Sequence, residues 1–360
     1  MKMQVAVILL YLLGGCAAPE PVKQVIPVYP PPPEKPRYIY EASIFNNLSI
    51  AAETGMERFK RFATGQSIRG RGLAKPFGIV VKNGRVFVGD TVARRIHAFD
   101  FPGKRYYVIG NQGQGRLAKP LGMAGDAMGR IYVCDGTSKR VIVYSQDGKF
   151  LKAIGGQKLL QRPSGVAVNR DGSRIYVVDT GGVTSQDHRV RVFDEKGGHL
   201  FDIGSRGADD GKFNLPLMAT VGPKGNLHVV DTGNFRVQVF SPDGQFLFKF
   251  GRAGRRPGQF SHPKGIAVED DGKIFVVDTA FGNFQIFNSD GQLLLFIGER
   301  NERGGPGSFI LPAGIAVDVD GRIYVVDQFF RKVEVFRPAD IPAETPRGQR
   351  PGAPKSPTSG

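Results

Sequence analysis

The sequence contains no tryptophan, two cysteines, five histidines, and one long apolar run, which lies at its N-terminus. Two cysteines cannot form the disulfide framework of a small secreted scaffold, and one apolar run excludes a membrane protein with several spans. Five scattered histidines offer little material for a histidine-based metal site. These absences point to a chain that is stabilised by an apolar core.

The residues that are present are typical of such a chain. Of the 360 residues, 41% are hydrophobic and 23% are charged, and 49 glycines and 25 prolines favour many turns. The 49 basic residues outnumber the 33 acidic ones, so the formal net charge is +16. A positive charge of this size leaves acidic partners open.

The N-terminus has the composition of a bacterial export signal, with one early lysine and an apolar run that is too short to span a bilayer as a mature helix. The letters L-G-G-C resemble the bacterial lipobox, which implies removal of residues 1–15 and lipid attachment at Cys16. An ordinary signal peptide cut nearby is the alternative. Ala17 is not the aspartate of the inner-membrane retention signal, so we expect an envelope lipoprotein of the outer membrane, facing the periplasm or the cell surface.

The segments that flank the body are rich in proline or lack an apolar period. Residues 16–36 contain the run Pro30 to Pro33, which favours an extended polyproline II tether between the lipid and the body. Residues 338–360 are predicted to be a disordered tail. Cys134 occupies a strand position that holds valine in other repeats, and we interpret it as an inert core thiol.

One pattern recurs six times across residues 63–337. Its best copies are H-P-K-G-I-A-V-E-D-D-G-K-I-F-V-V-D and L-P-A-G-I-A-V-D-V-D-G-R-I-Y-V-V-D, and the final aspartates of successive copies are 44 to 52 residues apart. Each copy contains four short runs with strand character that are separated by turn residues. A period of this length predicts an all-β, six-bladed β-propeller, with the first strand of each blade innermost and the fourth at the outer edge.

The sixth copy ends after its third strand, and the strand-like string R-Y-I-Y-E-A-S-I-F near the N-terminus has no blade of its own. We therefore expect residues 37–62 to supply a strand that closes the last blade, followed by a short amphipathic helix over residues 48–62. A closing strand at residues 57–62 is the alternative. Either arrangement removes an open sheet edge.

The strings P-x-G-I-A-V, D-G-x-I-Y-V-V-D and D-T-G-N-F-R-V-Q-V-F resemble the NHL repeat, and six copies resemble an NHL six-bladed propeller. Asn283 and Lys332 depart from the usual arginine of the repeat. The resemblance implies the fold more strongly than the function, because propellers of this family act as RNA-binding platforms, as protein-interaction modules and as the frame of an amidating lyase.

An aspartate ends the second strand of each repeat, and in five repeats a basic residue begins the third. We predict that these pairs are salt bridges that lock each loop, rather than a ring of ligand-binding charges. The pairs are Asp90 with Arg95, Asp135 with Arg140, Asp179 with Arg189, Asp231 with Arg236, and Asp327 with Lys332.

A second charged feature precedes the proline of each first strand, where the chain should ring one mouth of the central channel. Lys75, Lys119 and Arg162 occupy this position in three adjacent repeats, and His262 occupies it in the fifth. With Phe77 and Lys264 nearby, this arc is our candidate contact site for an anionic group, and solvated loop charges are the alternative. The inter-blade connections on this face carry far more basic than acidic residues.

Catalytic signatures are scarce. The sequence has no nucleophile elbow, no P-loop and no clustered metal ligands, and of its histidines only His262 is well placed, at the predicted mouth. We expect a binding or scaffolding module without a cofactor, which engages a protein or an anionic glycan of the envelope. An exported lipoprotein would not meet cytoplasmic RNA, so no nucleic-acid partner is expected. The alternative is a metal-dependent lyase or lactone hydrolase built at the channel mouth.

Overall fold

β-Branched and aromatic residues alternate along every repeat, and each repeat forms an antiparallel sheet in the computed structural model, which describes residues 26–50 and 70–349. The six sheets are the blades of a β-propeller, so the predicted fold class is confirmed. The described part of the chain contains no helix that is long and apolar enough to cross a bilayer.

The first three blades each contain four strands in sequence order. Blade one contains Pro76–Lys82, Arg85–Asp90, Arg95–Asp100 and Arg105–Ile109. Blade two contains Pro120–Gly125, Ile131–Asp135, Arg140–Tyr144 and Phe150–Gly155. Blade three contains Pro163–Val168, Arg174–Asp179, Arg189–Asp194 and His199–Ile203.

The next two blades repeat this order, and blade six combines both ends of the chain. Blade four contains Pro216–Val221, Leu227–Asp231, Arg236–Phe240 and Phe246–Phe250. Blade five contains Pro263–Val268, Ile274–Asp278, Asn283–Phe287 and Leu293–Ile297. Blade six contains Pro312–Val317, Ile323–Asp327, Lys332–Pro338, Tyr38–Ile44 and Val28–Tyr29. A short parallel ladder joins Glu299–Arg300 to Ser308–Phe309, and 3-10 turns lie at Asn47–Ser49 and Thr232–Asn234.

The N-terminal strand closes blade six, as predicted. Tyr38–Ile44 pairs antiparallel with Lys332–Pro338, with Ile44 opposite Val333. The strand therefore occupies the outer position that the sixth repeat lacks. Of the helix predicted over residues 48–62, the 3-10 turn at Asn47–Ser49 overlaps the start, and residues 51–69 lie outside the described residues.

The expected tether does not extend to residue 36. Val28–Tyr29 adds a fifth strand to blade six, and the Tyr29 ring packs edge-on against Phe336 at 5.8 Å between centroids. Burial of this aromatic ring against the blade explains why the chain folds back here. Residues 1–25, including Cys16, lie outside the described residues.

The predicted disordered tail is also wrong for residues 338–349. Ile341 is buried, the Arg347 guanidinium lies 4.0 Å from the centroid of the Phe101 ring, and the Gly348 amide donates to Asp320 at 2.7 Å. Paired charges and one aromatic contact hold this segment even though it has no apolar period. Residues 350–360 lie outside the described residues.

The core is divided among the blade interfaces. Among the described residues, buried apolar side chains form six clusters, one between each neighbouring pair of blades. The first strands lie innermost and contact one another around the channel. A Cβ on Gly265 would lie 2.3 Å from the Ala313 carbonyl oxygen, so the glycine of P-x-G allows neighbouring inner strands to approach this closely.

Candidate functional site

The aspartates that end the second strands hold two loops at once. The Asp135 carboxylate accepts the backbone N–H groups of Ala118 at 2.6 Å and Lys119 at 3.1 Å, in the connection that enters the blade. It also accepts the N–H groups of Thr137 and Ser138, in the loop that follows strand two. Equivalent bonds are made by Asp90, Asp278 and Asp327.

Because one carboxylate reaches both sets of loops, the inter-blade connections and the loops between strands two and three share one face of the disc. We call it the connection face, and we call the opposite side, which carries the Asp-Gly turns, the turn face. This sorting of loops agrees with the alternation of strand direction along each blade. The predicted cationic arc lies on the connection face.

The five predicted charge pairs do face each other across neighbouring strands, but four of the five do not form the predicted salt bridge. Each aspartate is the cross-strand partner of the predicted basic residue. Among the described residues, only Asp231 and Arg236 of these five pairs form an ion pair, at 2.9 Å. The carboxylates of the other four are occupied by backbone N–H groups. Their partners bond elsewhere: Arg95 to the Ala93 carbonyl, Arg140 to Ser138, Arg189 to Asp187 and Asp202, and Lys332 to Glu334.

A signal for this role was present in the sequence. The aspartate is followed by Thr or Gly in five of the six repeats, as in D-T-G, and an aspartate side chain at the start of such a turn accepts backbone N–H groups, as in an Asx turn. The recurrence in every repeat identifies a structural device. The charge pattern alone did not reveal that these aspartate carboxylates accept backbone N–H groups.

The residues before the strand-one prolines ring the channel on the connection face. Lys75, Lys119, Arg162 and His262 are exposed there. Lys119 and Arg162 form no ion pair with any described residue, and neither is among the charges that shift the pKa of Lys264 or His262. Of the three cations in the arc, Lys75 interacts electrostatically with the fifth-blade residue Lys264.

The residue after each of these prolines forms an inner ring that plugs the channel. Phe77 comes from blade one, yet with Leu217 it packs against the core cluster between blades four and five. The Phe77 side chain therefore crosses the channel axis. Five members of the ring are apolar or small, and the only cation is Lys264: the ring consists of Phe77, Leu121, Ser164, Leu217, Lys264 and Ala313.

Lys264 interacts electrostatically with residues of two blades. Burial lowers the pKa of Lys264, and the nearby charge of Lys75 lowers it further. Burial also lowers the pKa of His262, and Lys264 adds to the decrease. The adjacent carboxylate, Asp278, already accepts the N–H groups of Ser261 and His262. The structure thus places Lys264 within electrostatic range of both Lys75 and His262, with Asp278 as the opposing charge.

The open part of the channel lies on the turn face, which the sequence analysis did not predict. A cavity of about 940 Å³ extends inward from this side. Its wall is formed by the inner strands, including Ile79, Met123 and Ile315, and its rim carries Lys82 and Lys224. The inner strands are sheet edges, so their backbone groups also face this space.

The described residues contain no group of three histidine, cysteine or carboxylate side chains that could hold a metal ion. The histidines are engaged separately. His97 is 2.8 Å from the Tyr106 hydroxyl, and burial lowers its pKa to about 4. His188 accepts the Leu215 N–H, and His199 pairs with Asp202 at 2.7 Å.

Comparisons with known proteins show the fold alone. No family model matches the sequence, and no curated protein matches it. The chain is similar in structure to a streptogramin B lyase, at 15% identity and a TM-score of 0.54, covering 74% of this chain and 94% of that one.

Two further solved structures are similar to a comparable degree. A gluconolactonase from Xanthomonas campestris matches at 19% identity and a TM-score of 0.55, covering 74% of this chain and 86% of that one. A protein of unknown function from Bacteroides thetaiotaomicron matches at 18% identity and a TM-score of 0.57, covering 74% and 70%. These structures share the β-propeller of this chain. A fold that hosts many activities does not by itself assign one.

Proposed function

We propose that this protein is an envelope-anchored binding module with an NHL-type propeller, which engages an anionic or protein partner through the connection face. The proposal is supported most directly by the mouth cluster, which we define as Lys75, Lys264 and His262. Burial and the charge of Lys75 lower the pKa of Lys264, burial and the charge of Lys264 lower the pKa of His262, and the neighbouring carboxylate accepts backbone N–H groups. An anion at this position would relieve the repulsion.

The placement in the cell rests on the N-terminal motif. Lipid attachment at Cys16 would anchor the chain, and residues 16–25 would join the lipid to the first described strand region. We propose the outer membrane as the site, with a protein or an anionic glycan of the envelope as partner, and no nucleic acid.

A second function, a lyase or lactone hydrolase, is favoured by the cavity on the turn face and by the fold shared with enzymes of those names. A metal-dependent form needs at least three converging ligands, which are not gathered among the described residues. Turnover of lactone substrates by purified protein, combined with metal analysis, tests this alternative. Stoichiometric metal together with turnover would favour the enzyme.

The binding role is tested by crosslinking in intact cells followed by mass spectrometry. We compare the wild type with the double variant Lys75→Gln/Lys264→Gln, both anchored through Cys16. We expect a partner that is captured by the wild type and reduced about tenfold or more in the variant, because two cations at the channel mouth contribute strongly to anion binding.

The matched control is Lys149→Gln/Lys196→Gln, which removes the same charge at two exposed positions remote from the mouth cluster. This control should capture the partner as the wild type does. Equal capture by all three proteins, or loss in the control as well, would contradict a binding role for the mouth cluster. A triple variant, Lys75→Ser/Lys119→Ser/Arg162→Ser, tests whether the predicted arc contributes.

A further inference from the structure

Blades six and one expose large apolar side chains on the connection face, beside the mouth cluster. Phe329 is 54% exposed, Val92 is 63% exposed and Leu311 is 37% exposed. Phe329 and Val92 occupy the same place in their blades, two residues after the strand-ending aspartate. The other blades carry smaller residues at this place, which are Thr137, Gly181, Gly233 and Ala280.

Backbone hydrogen bonds bring these side chains close to the channel mouth. The Gln328 N–H donates to the Leu311 carbonyl at 3.1 Å, which places Leu311 beside the loop that carries Phe329. The Thr91 N–H donates to the Lys75 carbonyl at 3.0 Å, so Val92 follows directly after a residue bonded to Lys75. Because blades six and one are neighbours, the three side chains lie on adjacent loops of one face, and we call this set the six–one patch.

Contacts with neighbouring groups restrict the position of the Phe329 side chain. Its ring packs edge-on against Phe330 at 5.1 Å between centroids, and the Lys332 ammonium lies 4.9 Å from the centroid of the Phe330 ring. The Phe329 N–H donates to the Asp327 carboxylate at 2.7 Å. An exposed aromatic ring that is already held in place can serve as a binding anchor, because its side chain loses little conformational entropy when a partner binds.

Cations surround the six–one patch. Arg94 and Arg331 are exposed, each two residues after the apolar side chain of its loop, and neither forms an ion pair with a described residue. Lys75 lies on the side of the patch that is nearest the channel mouth. The aspartates of both blades, Asp90 and Asp327, are fully buried and hold backbone N–H groups. The exposed acidic residues on the entering connection of blade six, Glu299 and Glu302, alternate with Arg300 and Arg303.

We propose that the six–one patch binds an acidic polypeptide segment that carries an aromatic or branched aliphatic side chain, which packs on Phe329 and Leu311 while carboxylates pair with Arg94, Arg331 and Lys75. This inference rests on the proposed binding role and names the chemistry of the partner. Exposed aromatic and arginine side chains at one place are typical of protein interfaces. An anionic glycan would use the cations and leave the apolar side chains uncovered. Three apolar side chains among separate cations suit a short segment better than a bilayer surface.

The test uses a random dodecapeptide display library, panned on the full-length protein, with Phe329→Ser and Leu311→Ser as variants. We expect selected peptides to be enriched in Asp and Glu around one aromatic or aliphatic residue, and to bind each variant about tenfold or more weakly than the wild type. The matched control is Val183→Ser, which removes an apolar side chain that is 68% exposed on the same face in blade three. Binding to this control should be unchanged.

Two further probes separate the possible failures. Heparin represents anionic glycans, and phosphatidylglycerol vesicles represent an anionic membrane. Heparin or vesicle binding that is unaffected by Phe329→Ser, together with no acidic peptide enrichment, would overturn the peptide site and leave the broader binding role intact. Selected peptides that bind Phe329→Ser as well as the wild type would also overturn it. Failure of the broader role is detected separately, by equal crosslinking of the wild type and the Lys75→Gln/Lys264→Gln variant.

Discussion

At the scale of single residues, the strand-ending aspartates show how a charge can serve the backbone. Asp135 is fully buried and accepts four N–H groups from two loops. Arg140, its cross-strand partner, bonds to Ser138 instead. In blade four the geometry differs, since Arg236 is itself buried and pairs with Asp231. The same sequence pattern therefore stabilises the fold in two ways, through backbone hydrogen bonds alone at Asp135 and with an added buried ion pair at Asp231.

Asp135→Ala should lower the free energy of unfolding by about 3 kcal/mol, because its four N–H partners lose their acceptor. Arg140→Ala should change it by less than about 0.5 kcal/mol. Arg236→Ala should cost about 3 kcal/mol, because it leaves Asp231 buried without its cation. Urea denaturation of the three variants measures these values. Equal losses for Arg140→Ala and Arg236→Ala would contradict the distinction between the two arginines.

Glu334 is a second buried acidic residue that holds a loop, and burial changes its pKa. It accepts the Gly307 N–H at 2.9 Å and pairs with Lys332 at 2.5 Å. Burial raises the pKa of Glu334 to about 7, against the opposing effect of Lys332. Gln238 and Gln285 hold the equivalent loops in blades four and five, where their amide groups also donate to loop carbonyls.

Between pH 4.5 and 7, folded Glu334 keeps a proton that the unfolded chain has released, so this residue makes the free energy of unfolding fall as pH rises. Glu334→Gln should remove that decline, and the variant should gain stability relative to the wild type across this interval. The matched variant Gln285→Glu should introduce a decline in blade five. Denaturation curves from pH 4.5 to 8 measure both, and parallel profiles for all three proteins would refute the assignment.

At the scale of elements, the two ends of the chain meet in blade six. Arg322, fully buried, donates to Glu41 of the closing strand at 2.6 Å, to Asp320 at 2.6 Å and to the Thr345 carbonyl at 2.8 Å. Arg347 adds a bond to the other Glu41 oxygen at 3.0 Å. The closing strand and the C-terminal segment thus share one buried charge network across the seam of the ring.

Truncation after Asp340 should lower the melting temperature by several degrees, because it removes Arg347 and the carbonyl that Arg322 binds. Truncation after Gln349 serves as the control, since it leaves every contact of the described C-terminal segment in place. Thermal unfolding followed by circular dichroism compares the two. Equal melting temperatures would show that residues 341–349 do not stabilise the seam.

At the scale of the whole molecule, the ring separates two mouths with different properties. Phe77 crosses the channel near the connection face, and a cavity opens toward the turn face. The connection face carries the mouth cluster and the six–one patch. The molecule therefore offers a charged and apolar surface on one side and a concave space on the other.

Much of this architecture could be predicted from local pattern. The spacing of the aspartates indicated six blades, and the missing fourth strand of the sixth repeat indicated closure by the N-terminus. The site was predicted only in part. Lys264 interacts electrostatically with Lys75 and His262, whereas Lys119 and Arg162 are not among the charges that shift the pKa of either Lys264 or His262. The ordered residues 338–349 were missed because charge pairing, which has no period, holds them.

The sequence by itself determined the number of blades, the four-strand order and the register of each Asp–Arg pair, because alternation and turn residues act over a few neighbours. Tertiary structure alone decided which aspartate also forms an ion pair, where Phe77 obstructs the channel, and how the loops of blades six and one lie beside each other. Those outcomes depend on the packing of the closed ring, which includes contacts between residues more than two hundred positions apart, such as the Gly84 N–H with the Asp318 carboxylate at 2.6 Å. The physical reason is that a ring brings its first and last blades together only when it closes.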